Sequence, residues 1–406
     1  MANFPIAEFE NQRTPFYFYD IELLRNTLNV IKEHSNRPDY HVHYAIKANV
    51  NAVVLEEIRK AGLGVDCVSG GEVEAALNAG FEAKKIVFAG VGKSDWEIEL
   101  GLEHDIACFN VESLPELEII QEIAAKMGKV ARVALRVNPN VDAHTHHYIT
   151  TGLAENKFGI NLEKLDEIIE KAMMMTNVEL QGLHFHIGSQ ITITEPFKVL
   201  CEKVNALQAK YAEKGVTFKS INVGGGLGID YDNPDENPIP DFKGYFETFK
   251  NYLKLNEGQE LHFELGRSIV GQCGSLITRV LYVKEGTEKK FAIVDAGFTE
   301  LIRPALYEAH HNIENLTSDG EVEKYDVVGP ICESSDCFGK EEMLPKMRRG
   351  DIVALRSAGA YGEIMASQYN CRKLPKSVYK MYEIIIRNFD GHVGENGLRY
   401  AHLFCE

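Results

Sequence analysis

Tyr40-His-Val-His-Tyr-Ala-Ile-Lys47 is a short strand-like run that ends on a lysine. The polar stop Ala48-Asn49 follows, and then a helical pattern at Val53, Leu55, Ile58 and Ala61. The same alternation continues for more than 200 residues. Apolar, β-branched runs recur at Gly64–Val68, Ile86–Phe88, Ile106–Phe109, Arg132–Val137, Leu180–Ile187, Ser220–Val223 and Leu261–Glu264. Helical spacing separates them, as at Leu114, Leu117, Ile120 and Ile123, or Leu162, Leu165, Ile168 and Ile169. Eight strands alternating with helices predict a closed parallel (β/α)8 barrel, since an open doubly wound sheet would break the series where its strand order reverses.

Beyond residue 267 the texture changes. Strand-like runs at Gly274–Val283, Lys290–Val294, Asp326–Val328 and Asp351–Ala354 are joined by turn residues. This predicts a second, mostly β domain. Pro15-Phe16-Tyr17-Phe18-Tyr19 is also strand-like, so the amino-terminal segment is expected to cross over and join the later sheet. The expected division is 30–267 for the barrel, with 1–29 and 268–406 forming the β-rich domain. A chain of 406 residues accommodates both.

Composition narrows the function. The chain is 45% hydrophobic and 25% charged, as an ordinary globular protein is. Its net charge of −17 repels phosphate backbones and anionic membranes, which excludes nucleic acid and membrane surfaces as expected partners. Met1-Ala-Asn-Phe-Pro5 lacks the basic-then-apolar pattern of a signal peptide, and the expected location is the cytoplasm. The eight scattered cysteines, without a Cys-x-x-Cys pair, then read as free thiols.

A barrel places chemistry at the carboxyl ends of its strands and often binds phosphate after strands seven and eight. Lys47 ends the first strand and His186 the sixth. Gly224-Gly-Gly-Leu-Gly228 follows the seventh, and Glu264-Leu-Gly-Arg267 closes the eighth. A lysine losing solvation at the mouth of a strand is expected to favour its neutral amine, as Schiff-base chemistry requires. Glycine amides suit an anion, and a buried Glu264 suits a pyridinium nitrogen. Lysine, phosphate cradle, stacking histidine and acid together describe a pyridoxal 5'-phosphate site.

These segments carry a resemblance. Tyr44-Ala-Ile-Lys-Ala-Asn49, Val68-Ser-Gly-Gly-Glu72, His184-Phe-His-Ile-Gly-Ser-Gln190 and Gly224–Gly228 resemble the fold-type III, alanine racemase-like pyridoxal phosphate decarboxylases. Thr151-Gly152 with Glu155–Gly159, Ile302-Arg-Pro-Ala-Leu-Tyr307, Cys332-Glu-Ser-Ser-Asp336 and Ala358-Gly-Ala-Tyr-Gly362 are similar, more narrowly, to the diaminopimelate decarboxylases. The likeness runs from about residue 14 to about 373.

The resemblance implies decarboxylation of meso-diaminopimelate to L-lysine, the closing step of lysine biosynthesis. Lys47 carries the cofactor and His186 stacks on its ring. Gly225, Gly226, Gly266 and the Arg267 backbone, with Tyr361, hold its phosphate. Arg267, Arg303 and Tyr307 take the distal carboxylate, and Glu333 the distal ammonium. Cys332 returns a proton to Cα. The resemblance further implies a homodimer in which Cys332, Glu333 and Tyr361 reach the neighbouring site. A simple diamine precursor would leave Arg303 unpaired, whereas a carboxylated polyamine would also satisfy it. A racemase, or a binding homologue without chemistry, would be expected to lack Cys332-Glu333 or Lys47.

Plainer readings apply elsewhere. His144-Thr-His-His147 is a polar loop without acids at ligand spacing, so no metal is expected there. His184 reads as a satisfied interior group, Cys67 as a small apolar one, and Glu72 as a favourable helix start. Leu265 replaces the proline usual in this family, and the stretch from about Lys376 to Glu406 departs from its pattern.

Overall fold

The computed structural model describes residues 4–141 and 157–381, with short strand segments at 384–386, 392–393 and 399–400. His144–His147 and most of the Thr151–Gly159 motif lie outside the described residues.

Eight parallel strands close into a barrel. They are Tyr40–Ala45, Gly64–Cys67, Ile86–Phe88, Cys108–Val111, Ala131–Asn138, Val178–His184, Ser220–Asn222 and Glu260–Leu265. The first pairs with the eighth, Leu261 opposite Tyr40 and Leu265 opposite Tyr44, and the fourth pairs with the fifth to complete the ring. Every expected strand is present within a few residues. A two-residue strand, Ile160–Asn161, adds to the end of the fifth and escaped the sequence reading.

The helices between strands start where short polar side chains can cap them. Asn51 accepts from the Val53 amide, Ser69 from Glu72 and Ser113 from Glu116, with Pro115 in the first turn. Leu117, Ile120, Ile123 and Ala124 turn one face of Leu114–Lys126 to the barrel, which is the helical spacing seen in the sequence. Glu72 does begin its helix, and its carboxylate also accepts from the Val68 amide at 2.7 Å.

The second region is mostly β. Phe16–Asp20 lies between two later strands, antiparallel to Gly274–Glu285 and parallel to Lys376–Met381. The expected crossover is therefore real, and the start of the unfamiliar tail is a strand of this sheet. Its alternation sorts the side chains: Phe16 and Phe18 pack with Phe9, Ile277 and Val378, whereas Tyr17 and Tyr19 join the large core shared with the barrel.

Asn49 ties the two regions together just past Lys47. Its amide donates to the Tyr19 hydroxyl and the Gly359 carbonyl, both at 2.8 Å, while its oxygen accepts from the Asn51 amide at 2.7 Å. The Tyr361 amide donates to the Ala48 carbonyl at 2.8 Å. Asn49 is 2% exposed, so water cannot replace these partners. Replacing it by alanine strands buried groups and should cost about 1–3 kcal/mol. A lower thermal midpoint for Asn49→Ala is the expected result; an unchanged one would show that this junction does not hold the two regions.

Candidate active site

Lys47 sits in a single 3-10 turn, Ile46–Ala48, at the carboxyl end of the first strand. It lines a cavity of about 1630 Å³ together with Asp66, His186, Glu264, Arg267 and Arg303. The barrel strands bring all of these but Arg303 to one end of the barrel, and Arg303 comes from the short helix Arg303–Tyr307 of the β-rich region.

The expectation of a free amine at Lys47 needs correction. Burial does disfavour its ammonium form, but Asp66, Tyr361, Glu264 and Glu72 together outweigh burial and hold its pKa above the usual lysine value. In this state Lys47 is a cation among acids. Asp66, on the second strand, was not singled out from the sequence. It is 2% exposed, and its Oδ1 has no hydrogen-bond partner among the described residues. Burial, with Glu264 nearby, pushes its pKa well up.

Glu264 is fixed from three other strands. Asn110 and Asn222 donate to its Oε1 at 3.0 and 2.7 Å, and His184 Nε2 lies 2.9 Å from its Oε2. Burial alone would raise its pKa; His184, His186 and the Asn222 amide reverse that and hold it well below the ordinary carboxylate range. The result is a buried, ionised acid with fixed orientation. His184 is thus satisfied at Nε2, while its Nδ1 has no partner among the described residues.

His186 follows the sixth strand. The Gly225 amide donates to its Nδ1 at 3.3 Å, so the network assigns the proton of the neutral ring to Nε2. Burial and the cations Arg136 and Lys47 keep its pKa well below the imidazole value. The glycine loop beside it is sterically obligatory. A Cβ at Gly225 would lie 1.8 Å from the Glu264 carbonyl oxygen. At Gly226, where φ is +108°, it would lie 2.8 Å from the Gly188 carbonyl. Gly226 and Gly266 line the cavity, whereas Gly225 packs between the seventh and eighth strands.

Two buried arginines meet at the far wall. Arg267 and Arg303 each donate to the hydroxyl of Tyr231, at 2.6 and 2.8 Å, and each is 6% exposed. Ser189 accepts from Arg267 Nη2 at 3.0 Å. His311 Nδ1–H donates to the Arg356 carbonyl at 2.8 Å, leaving Nε2 to face Arg303 at 3.2 Å. Tyr307, from the short helix Arg303–Tyr307, and Tyr361 complete this wall, with the Arg267 guanidinium 4.9 Å from the Tyr361 ring centre. No carboxylate is bonded to either guanidinium among the described residues, so the pair suits an anion from outside. Tyr231, Ser189 and His311 were missed in the sequence, where nothing marks a loop tyrosine or serine as an arginine partner.

Cys332 and Glu333 stand apart. Both are exposed, neither lines the cavity, and Glu333 accepts from Tyr369 at 2.6 Å. Tyr361 lines the cavity of its own chain, which corrects the expectation that it serves a neighbouring one. The seven cysteines among the described residues are all free, and Cys67 is fully buried as a small apolar group.

The donor set fits pyridoxal phosphate. It offers one lysine, an ionised acid that can meet a protonated ring nitrogen, an imidazole, and a loop where only glycine leaves room. The pyridoxal binding domain of the pyridoxal-dependent decarboxylases matches residues 24–271. A diaminopimelate decarboxylase of Bacteroides thetaiotaomicron is 63% identical over 374 residues, 92% of this chain and 97% of that protein. The chain belongs to the diaminopimelate decarboxylase family. Among solved members, the Helicobacter pylori enzyme complexed with L-lysine is 41% identical, with a TM-score of 0.88 over 94% of this chain and 95% of that one. The diaminopimelate decarboxylase from m. jannaschii, in co-complex with L-lysine, is 37% identical with a TM-score of 0.87, covering 94% of this chain and 90% of that one.

The His311 contact predicts a pH dependence for this family member. Burial and Arg303 push the His311 pKa down to about 3, so it stays neutral when folded. The unfolded chain takes up a proton below about 6.5, so folding stability falls with pH, by about 1.4 kcal/mol per unit, until about 3 is reached. Thermal midpoints of the wild type should therefore drop between pH 7 and 5 more steeply than those of His311→Gln. Parallel slopes would assign the proton uptake to other groups.

Proposed function

We propose that the protein decarboxylates meso-2,6-diaminopimelate to L-lysine at the cavity around Lys47, as the last step of lysine biosynthesis in the cytoplasm. The observation that carries the substrate is the pair of buried guanidiniums of Arg267 and Arg303 in the same cavity as Lys47. A lysine or ornithine side chain ends in an ammonium and would leave both cations unmatched, at a cost far larger than a lost surface ion pair.

Pyridoxal 5'-phosphate supplies the electron-withdrawing ring that lets an α-carboxylate leave as carbon dioxide. Lys47 is its attachment point, and Asp66, Tyr361, Glu264 and Glu72 favour positive charge at that position. Glu264 holds a proton on the ring nitrogen because its own carboxylate stays ionised. His186 packs against the ring face. Gly226, Gly266 and the Arg267 backbone, with Tyr361, would surround the phosphate, and Gly225 would hold the loop close against the eighth strand. The Arg267 and Arg303 side chains and Tyr307 orient the substrate by its distal carboxylate.

Two roles remain for residues outside this chain's cavity. Cys332 delivers the proton to Cα and Glu333 meets the distal ammonium, each from the second copy of a homodimer. The β-rich domain, residues 1–29 and 268–406, carries them to the barrel of the other copy, residues 30–267. Their exposure on the loop before Cys337–Pro345 supports this assembly.

Product analysis with meso-diaminopimelate, L-lysine and L-ornithine tests the substrate. Lysine should form from diaminopimelate alone; turnover of the diamino acids instead would overturn the assignment. Lys47→Ala should lose the visible absorption band of lysine-bound cofactor, and Cys332→Ala should keep it while turnover falls by about 100-fold or more. Co-expressing these two variants tests the shared sites. A dimer of mixed parentage has one intact site, so random pairing restores about a quarter of wild-type activity. No recovery would place Cys332 in its own chain's site.

A further inference from the structure

We propose that His41, Glu260 and His262 form a zinc site at the amino-terminal end of the barrel, clamping the seam between its first and eighth strands. His41 and His262 are directly opposed across that parallel pair, and Glu260 precedes His262 on the same face of the strand. One ligand atom from each lies within 4.8 Å of the others. The site is at the opposite end of the first strand from Lys47, about 20 Å along it for six residues, so it plays no part in the chemistry there.

The Glu260 carboxylate lies between the two rings, one oxygen toward each, at the outer edge of hydrogen-bond range. Glu260 Oε1 is 3.6 Å from His41 Nε2, and Glu260 Oε2 is 3.4 Å from His262 Nε2. Zinc–ligand bonds of about 2.0–2.1 Å in a tetrahedron set neighbouring donors about 3.3 Å apart. His41 Nε2 is a buried atom with no hydrogen-bond partner among the described residues.

The tautomers agree with this reading. The Lys85 carbonyl, 3.2 Å from His43 Nδ1, can only accept, which puts the proton on Nδ1 and leaves His43 Nε2 as an acceptor. His262 Nδ1 lies 2.8 Å from that nitrogen and must donate to it. The lone pair of His262 is therefore on Nε2, facing Glu260. A ligand histidine whose second nitrogen donates into a fixed acceptor is the usual outer-shell arrangement of zinc sites. His41 and Glu260 are 39% and 54% exposed, which leaves the remaining coordination position to water. Three of the cations lining the adjacent pocket are paired elsewhere: Lys84 and Arg132 with Asp105, and Lys85 with Glu82.

The test uses the cofactor-loaded protein, stripped with chelator and dialysed against zinc chloride, with bound metal measured by elemental analysis. The wild type should retain one zinc per chain and gain thermal midpoint. Glu260→Gln and His41→Gln should weaken binding by about 100-fold or more and lose the midpoint gain, with turnover unchanged as evidence of folding. Absence of retained zinc in the wild type overturns the proposal. So does equal retention by both variants, which would move the metal to exposed thiols such as Cys332 and Cys371.

Discussion

A buried carboxylate that must stay charged is the constraint on which this barrel turns. Glu264 sits inside the ring, where desolvation would neutralise an isolated acid. Asn110, His184 and Asn222 reach it from the fourth, sixth and seventh strands. Those strands meet only if the sheet closes in one register, so closure and the charge of Glu264 are the same fact. A one-residue slip of any strand would turn its donor to the opposite face and leave the acid unmatched.

Charge balance then organises the rest of the cavity. Lys47 faces Asp66, Glu72 and Glu264, and those acids outweigh its desolvation. At the other wall Arg267 and Arg303 share the Tyr231 phenol, whose pKa burial raises but the two guanidiniums pull below the usual value, and no carboxylate among the described residues pairs with them. One wall is thus balanced internally and the other awaits an anion. A substrate with carboxylates at both ends is suited to that asymmetry, with one acid drawn to the arginines and the other left over Lys47.

The sequence made the barrel legible because each strand is an apolar run between helical periods, and because Lys47, His186, the glycine loop and Glu264 all fall at strand ends. The short strand Ile160–Asn161 gave no such signal, being too brief for a pattern. The Lys47 charge could not be read from its own neighbourhood: burial is local, but the acids that reverse it come from other strands. Tyr231, Ser189 and His311 are loop residues whose meaning depends on where Arg267 and Arg303 arrive in space. Motif likeness named Cys332 and Glu333 and assigned them to a neighbouring site, and neither lines the cavity of its own chain.

The β-rich sheet does more than cover the barrel. Asn49, two residues beyond Lys47, joins Tyr19 of the amino-terminal strand Phe16–Asp20 to Gly359 in the loop after Ile352–Leu355, and Tyr361 bonds to Ala48 between them. Gly359 has no room for a side chain, since a Cβ would lie 1.9 Å from the Val270 carbonyl. This close approach brings the Tyr361 ring over Arg267, so one backbone seam positions a residue on each side of the cavity. The crossing of the amino-terminal strand into the later sheet is what holds that seam shut. A chain that kept the barrel but lost the crossover would keep Glu264 ionised and yet have no wall from which Tyr361 and Arg303 could meet a substrate.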